Sequence, residues 1–254
     1  MTGPPWPVFV LSLPGCEARR ARLLAALTAQ GVGFEVVLGV DGRKGLPPEH
    51  EAEVDRPGTL RAMGRAMSDA EYACALSHQR IYALIAERGL PGAIVLEDDA
   101  IPLPGFAAFL AAGAQEGCDL TLFDYDGARV MIGSRRRPLP GIETWELATG
   151  TTLATGYAVS RRGAAYLRQA GLPVRRVADW PCDITRIGAR VVHPRLIGHP
   201  PGDAAGSAIQ PSRAPLLAAR RRAARDPARF ADPAYWRGRL RRFCSFWLVR
   251  KRGG

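Results

Sequence analysis

The 254-residue sequence contains no run of about eighteen apolar residues, the length a helix needs to cross a bilayer. Its opening, MTGPPWPVFVLSLPG, puts no basic segment ahead of the short apolar stretch Val8 to Leu13. A secretory signal is therefore not expected. The five cysteines, at 16, 74, 118, 182 and 244, form no CxxC pair and are odd in number. That argues against a disulfide framework and a thiolate zinc site, and it fits a reducing, cytoplasmic setting. GxGxxG, GxxxxGK[ST] and GxSxG are all missing, so a dinucleotide fold, a P-loop ATPase and a hydrolase elbow have no support. Excess positive charge is missing from most of the chain. Residues 1–212 carry twenty-two basic and twenty-two acidic side chains, whereas residues 213–254 carry thirteen Arg or Lys and two Asp and hold the whole net +11. A chain built around nucleic acid would carry that charge on its folded body as well, so no specific nucleic-acid partner is expected.

What is present is enough apolar content, 47%, to build a real core and to exclude disorder over most of the length. PVFVLSL (7–13) reads as a buried strand stopped by Pro14-Gly15. CEARRARLLAALTAQG has helical spacing, with Leu23, Leu24 and Leu27 inward and Gly31 as a stop. Phe34 to Val40 reads as a second strand ending at the turn pair Asp41-Gly42. Residues 43–67 look irregular. Ser68 and Glu71 then form a capping box that opens a helix to Arg88. A short helix is expected over 105–113, a strand over 118–126, a long Gly-, Arg- and Pro-rich loop over 127–150, and a strand over 151–160. Ser160 caps the helix RRGAAYLRQAG, and ARVVHPRLI (189–197) reads as a late strand. The alternation predicts one α/β domain over residues 1–205, followed by a linker and tail over 206–254.

AIVLEDDA (93–100) carries the chemistry. An apolar strand runs straight into Glu97, Asp98 and Asp99. Open α/β sheets bind ligands at the carboxyl ends of their strands. Three adjacent carboxylates repel one another, and a hard divalent cation such as Mg²⁺ or Mn²⁺ offsets that repulsion while also touching substrate phosphates. Side chains two apart on extended backbone point the same way, so Glu97 and Asp99 can share an ion while Asp98 turns elsewhere. The plain alternative is a solvated acidic turn or a helix N-cap with extra charge.

The same stretch, with others in order, resembles glycosyltransferase family 25, the lipooligosaccharide and lipopolysaccharide sugar transferases. FVLSLPGCEARRARLLAAL, FEVVLGVDGR, YACALSHQRIYALIAERGLPGAIVLEDDA and TTLATGYAVSRRGAAYL resemble successive blocks of that family over about residues 8–200. The resemblance implies a GT-A-like single nucleotide-sugar-binding domain with a mixed central sheet. It implies a transferase that moves a sugar, galactose from UDP-galactose being the first candidate, onto a glycan or glycolipid hydroxyl. Inversion and dependence on Mn²⁺ (or Mg²⁺) go with it. Carried onto this chain, Glu97 and Asp99 are the expected metal contacts, with His193 or His199 completing the shell, and Asp98 touches donor ribose or sugar. An inverting route needs a base beside the acceptor hydroxyl. Asp179 is the first choice, Asp124 the second and Asp183 the third. His78 helps to shape the donor pocket or is a satisfied core histidine. Asp41 meets the nucleoside or is a plain turn aspartate. Arg19 and Arg22 approach the diphosphate or are solvated helix arginines.

The tail is basic and aromatic. Arginines among alanines and leucines fill 213–225, and Trp236, Leu240, Phe243 and Trp247 approximate a helical stripe flanked by Arg237, Arg241, Arg242 and Lys251. That pattern suits an anionic membrane surface, and places the protein peripherally on the inner face of a bacterial cytoplasmic membrane. Two other function classes stay open: an inactive GT-like domain that binds nucleic acid or anionic surfaces through its tail, and a metal-dependent phosphohydrolase.

Overall fold

The computed structural model describes residues 6–200 and 231–250. The expected linker and the arginines of 213–225 lie outside the described residues, as does Lys251. β1 (Val8–Ser12), β2 (Glu35–Leu38) and β3 (Gly92–Glu97) are mutually parallel neighbours, with β1 in the middle. β9 (Gly156–Ser160) runs antiparallel between β3 and β5 (Leu120–Leu122). β10 (Arg190–His193) is parallel to β5, and β8 (Ile142–Glu146) and β7 (Arg136–Leu139) extend the sheet antiparallel. The result is one eight-stranded mixed sheet in the order β2-β1-β3-β9-β5-β10-β8-β7. Two small ribbons join it: β4 (Ile101–Pro102) with β11 (Ile197–Gly198), and β6 (Ala128–Met131) with β12 (Ser245–Val249).

Alternation along the strands builds a core on each face. Val8 and Val10 meet Leu23 and Leu27 of α1 (Glu17–Ala29) and Phe106 and Phe109 of α4 (Phe106–Ala111). Phe9 and Leu11 meet Ile81, Tyr82 and Ile85 of α3 (Asp69–Glu87) and Ala164 and Leu167 of α5 (Arg161–Gly171). Each fully buried Phe or Leu contributes about 1.5–3 kcal/mol relative to exposure, so the two faces together hold the sheet. The capping box at Ser68 forms as expected: the Glu71 amide donates to Ser68 Oγ at 3.2 Å, and the Ser68 amide donates to Glu71 Oε2 at 2.8 Å. Ser160 Oγ accepts from the Gly163 amide at 3.0 Å and starts α5.

Three expectations are corrected. Residues 43–67 are not irregular: a 3-10 helix (Pro48–Glu53) and α2 (Arg56–Met63) occupy them, the second capped by Asp55 with proline in its first turn. Residues 127–150 are not a loop; they supply β6, β7 and β8, whose partners are distant in sequence. The tail stripe is not one helix. α6 (Pro233–Phe243) ends before Trp247, which lies on β12. The Arg and Pro content of 127–150 hid strands that exist only through long-range pairing.

Candidate active site

The strand directions put four chain segments at one edge of the sheet. β9 is antiparallel to both β3 and β5, so those two strands run the same way, and β1 and β10 run with them. Their carboxyl ends deliver Ser12, Glu97, the Asp124 region and His193 to the edge where open α/β sheets bind ligands. The start of β9 ties two of them together: the Glu97 amide donates to Thr155 O and the Phe123 amide to Gly156 O, each at 2.9 Å.

The acidic triplet divides by direction. Asp98 is buried and accepts from Ser12 Oγ at 3.0 Å. Arg19, from α1, places Nε 2.9 Å from Asp98 Oδ1 and Nη2 2.7 Å from Asp99 Oδ2. Arg22 lines the same cleft of about 180 Å³ beside Asp98 and Asp99. Burial pushes the Asp98 carboxyl above its ordinary value, and the pull of Arg19 and Ser12 does not cancel it. Glu97 turns toward α3 instead, where His78 Nε2 lies 3.2 Å from its Oε1. His78 Nδ1 lies 2.8 Å from Tyr157 Oη, so both ring nitrogens of this buried histidine are engaged. Burial raises the Glu97 carboxyl, but the His78 bond and charge, with Arg19 and His199, outweigh it and leave the group below its ordinary value.

Cys74, one turn before His78, completes a cluster in which the thiol, an imidazole nitrogen and a Glu97 oxygen all lie within 4.8 Å of one another. Burial, then the charges of Glu97, Asp179 and Asp99, push its thiol far up. Asp179 sits at the turn of a tight bend closed by Trp180 N to Ala178 O at 2.6 Å, and its carboxylate accepts the amides of Leu153 and Ala154. Leu153 (φ +78°) and Trp180 (φ +66°) are the non-glycine residues in the left-handed region among those described, and both adjoin this carboxylate. Such backbone costs about 1–3 kcal/mol per residue and collects at functional sites. Burial, then the neighbouring Glu97 charge, raises the Asp179 carboxyl.

Asp124 has no exposed surface. His199 Nδ1 lies 2.6 Å from its Oδ2, Arg195 Nε 3.9 Å from Oδ1, and the Tyr125 amide donates to Oδ1 at 2.9 Å. Burial raises it despite these partners. The charge of His199 also helps to lower the Glu97 carboxyl, after the larger effects of His78 and Arg19. His193 lies at the same edge, with Nδ1 3.4 Å from Tyr125 Oη. Two expected residues are engaged elsewhere. Asp183 caps the 3-10 helix Ile184–Ile187 and pairs with Arg237 of α6 at 2.8 Å. Asp41 pairs with Arg43 at 2.7 Å in a half-exposed turn.

The resemblance noted in the sequence implies a divalent cation, and two donor sets are available. Cys74, His78 and Glu97 form a sulfur, nitrogen and oxygen set that suits a borderline metal such as zinc. The acids suit Mn²⁺ or Mg²⁺ better, because those ions take oxygen ligands. Asp99 Oδ1 is buried without a hydrogen-bond partner among the described residues. A buried carboxylate oxygen left unpaired is costly, and a cation would satisfy it. The unpaired Asp99 Oδ1 thus suits an oxygen-seeking ion, while Glu97, turned toward His78, belongs to the Cys74–His78–Glu97 set.

Sequence reasoning missed Ser12, Cys74 and Arg195, and it offered Tyr157 as a sugar-stacking ring, whereas the structure buries it against His78. Cys74 had a readable signal, since positions 74 and 78 share a helix face. Ser12 had one too, because parallel β1 and β3 must end at the same edge. Tyr157 and Arg195 depend on packing between distant segments.

The profile of Glycosyltransferase family 25 (LPS biosynthesis protein) matches residues 6–132. Procollagen galactosyltransferase 1 of Danio rerio is 29% identical over 170 residues, 64% of this chain and 28% of that protein. Procollagen galactosyltransferase 1-B of Xenopus laevis is 30% identical over 175 residues, again 64% of this chain and 28% of that protein. Inactive glycosyltransferase 25 family member 3 of Mus musculus is 36% identical over 95 residues, 36% of this chain and 16% of that protein. The match spans less than a third of each of these relatives. With its mixed sheet and the acid cluster at the carboxyl edge, the chain belongs to glycosyltransferase family 25.

Proposed function

We propose that the protein transfers a sugar, galactose from UDP-galactose in the first instance, to a hydroxyl of a lipooligosaccharide or other glycan acceptor, with inversion. The observation that carries this reading is the gathering of Glu97, Asp99, Asp124 and Asp179 at the carboxyl edge of the sheet, with the unpaired Asp99 Oδ1 among them. Two relatives carrying the name galactosyltransferase support the choice of sugar. Glu97 and Asp99 would hold Mn²⁺ or Mg²⁺, which when bound neutralises charge growing on the leaving diphosphate. Arg19 and Arg22 face the same cleft and can meet phosphate oxygens. The acceptor oxygen attacks the anomeric carbon, the bond from that carbon to phosphate oxygen breaks, and the diphosphate leaves with the electron pair. The acceptor proton passes to a carboxylate, for which Asp179 is the best placed. Burial raises both Asp179 and Asp124, which makes either a stronger base than an ordinary aspartate, but Asp124 is enclosed by His199 and Arg195 and Asp183 is spent on a helix cap. His78 positions Glu97.

UDP-galactose binding by calorimetry and its turnover with Mn²⁺ test the reading. Glu97→Gln with Asp99→Asn should lower turnover at least a hundredfold. Undiminished turnover in that double variant would overturn it. Donor binding without turnover in the wild type, with or without acceptor, would favour a non-catalytic domain, a reading suggested by the relatives named inactive.

We also infer that α6 and β12 meet an anionic bilayer. α6 is amphipathic the wrong way round for a packed helix. Arg237 and Arg241 face the domain, pairing with Asp183 and Glu146 at 2.8 and 2.7 Å, while Leu240 and Phe243 are 64% and 86% exposed. Phe246 anchors β12 edge-to-face on Trp145 at 5.3 Å, and exposed Trp247 and Ile132 continue the apolar patch. Exposed Arg239, Arg242 and Arg250 surround it. Aromatic groups interleaved with arginine suit a negatively charged headgroup region, and the Arg237 pair links this face to the segment that carries Asp179. No helix among the described residues is long and apolar enough to cross a membrane.

A further inference from the structure

We propose that a second, separate site binds a phosphate-type oxyanion, in a pocket at the opposite end of the sheet built around Arg190. Arg190 opens β10, whose other end, His193, belongs to the candidate active site. Three residues of extended chain separate the two positions by roughly 10 Å. The pocket has a volume of about 290 Å³ and is lined by Arg136, Arg137 and Arg190, by Thr121 and Thr144, and by the segment Ala114 to Cys118 with Glu116 at its acidic corner.

The argument rests on charge. Arg190 is 6% exposed, yet it has no carboxylate within ion-pairing distance among the described residues. Its Nε donates to Thr144 Oγ1 at 3.1 Å, and its Nη2 to Ser134 O at 2.5 Å and Thr144 O at 2.8 Å. Those bonds satisfy geometry but leave a full positive charge without a counter-ion. Buried charges are normally paired, because the cost of removing an ion from water is several kcal/mol. Glu146 stands opposite Arg190 in the β8–β10 ladder, but Arg241 already holds it at 2.7 Å. Nη1 of Arg190 has no acceptor among the described residues. Arg136 has no ion pair among them either, and Arg137 meets Glu143 only at 3.4 Å. Burial, then the positive charge of Arg136, pulls the Arg190 pKa down, the direction expected for a cation awaiting an anion. The guanidinium groups of Arg136 and Arg190 and two threonine hydroxyls around a cavity of this size, with the Glu143-paired Arg137 at its rim, match a tetrahedral oxyanion, whether free phosphate or a phosphomonoester on a sugar. β7 and β8 create the pocket through the pairing of β8 with β10, which is distant in sequence.

The test is thermal unfolding and calorimetry of the full chain with inorganic phosphate, against chloride at equal ionic strength, and with glucose 6-phosphate. A saturable, phosphate-specific rise in melting temperature is expected. Arg136→Gln with Arg137→Gln, on side chains outside the core, should weaken phosphate binding at least tenfold, and Arg190→Met should abolish it. Asp99→Asn should leave it unchanged, which separates this pocket from the donor site. Tighter binding of glucose 6-phosphate than of phosphate points to a sugar phosphate; the reverse order points to the free ion. No stabilisation beyond chloride overturns the proposal. So does a phosphate effect that survives the Arg136 and Arg137 changes.

Discussion

His199 Nδ1 lies 2.6 Å from Asp124 Oδ2, and that contact is the closest polar neighbour of a carboxylate with no exposed surface. Its removal leaves Asp124 with Arg195 at 3.9 Å and one backbone amide. His199→Ala should destabilise the protein by about 1–3 kcal/mol, toward the lower figure because the imidazole is itself partly solvated. His199→Gln keeps a donor and should recover most of the loss. Urea unfolding of the three proteins checks this; equal midpoints would show that the contact carries no stability.

Asp179→Asn keeps the size of the side chain and one oxygen to accept the amides of Leu153 and Ala154, and removes the base. Turnover should fall by about 10²–10⁴ while donor affinity holds. A matching fall in donor affinity would assign Asp179 to binding rather than to proton transfer.

Arg65 Nη1 and Nη2 take the buried Glu71 carboxylate at 2.9 and 2.5 Å, at the start of α3. Arg65→Ala should cost about 3 kcal/mol, since it strands a buried charge. Adding Glu71→Gln should return part of that. Denaturant midpoints of the single and double variants measure the coupling.

Asp41 tests acid stability. The hydrogen bonds of the Arg43 side chain and amide hold its carboxyl down at about 2, against an ordinary 3.8. A folded-state pKa below the unfolded one means that the stabilisation is complete above the unfolded value and is lost as pH falls from about 4 through about 2. Asp41→Asn should flatten the stability profile over that window and leave neutral-pH turnover intact if Asp41 is a turn residue. A loss of donor affinity at neutral pH would instead assign it to the nucleoside.

Vesicle sedimentation probes α6. Wild-type protein should bind phosphatidylglycerol-rich vesicles and release at high salt, while Leu240→Glu with Phe243→Glu should cut binding at least tenfold. Equal binding to neutral phosphatidylcholine would argue against the charge component.

Much of this was legible where the cause was local. The Ser68 box and the Ser160 cap depend on residues three apart, so they appear in sequence as they do in the fold. The apolar strand ahead of Glu97 was readable because its burial on both faces leaves no polar alternation. β7 was not, since RRPL is largely exposed and pairs only as an edge strand. The inward turn of Arg237 and Arg241 was hidden too, because composition assigns arginine to solvent.

By itself, the sequence determined that an α/β sheet ends one strand in three acids and that the basic charge is confined to the tail. Those features follow from neighbouring residues and from composition. Only the tertiary structure decided that Glu97 faces His78 while Asp98 and Asp99 share Arg19, that His199 closes over Asp124, and that Arg190 lies buried without a counter-ion. Each of these is a meeting of charges from distant segments. Coulomb and desolvation energies depend on separation in space, which the order of residues along the chain does not specify.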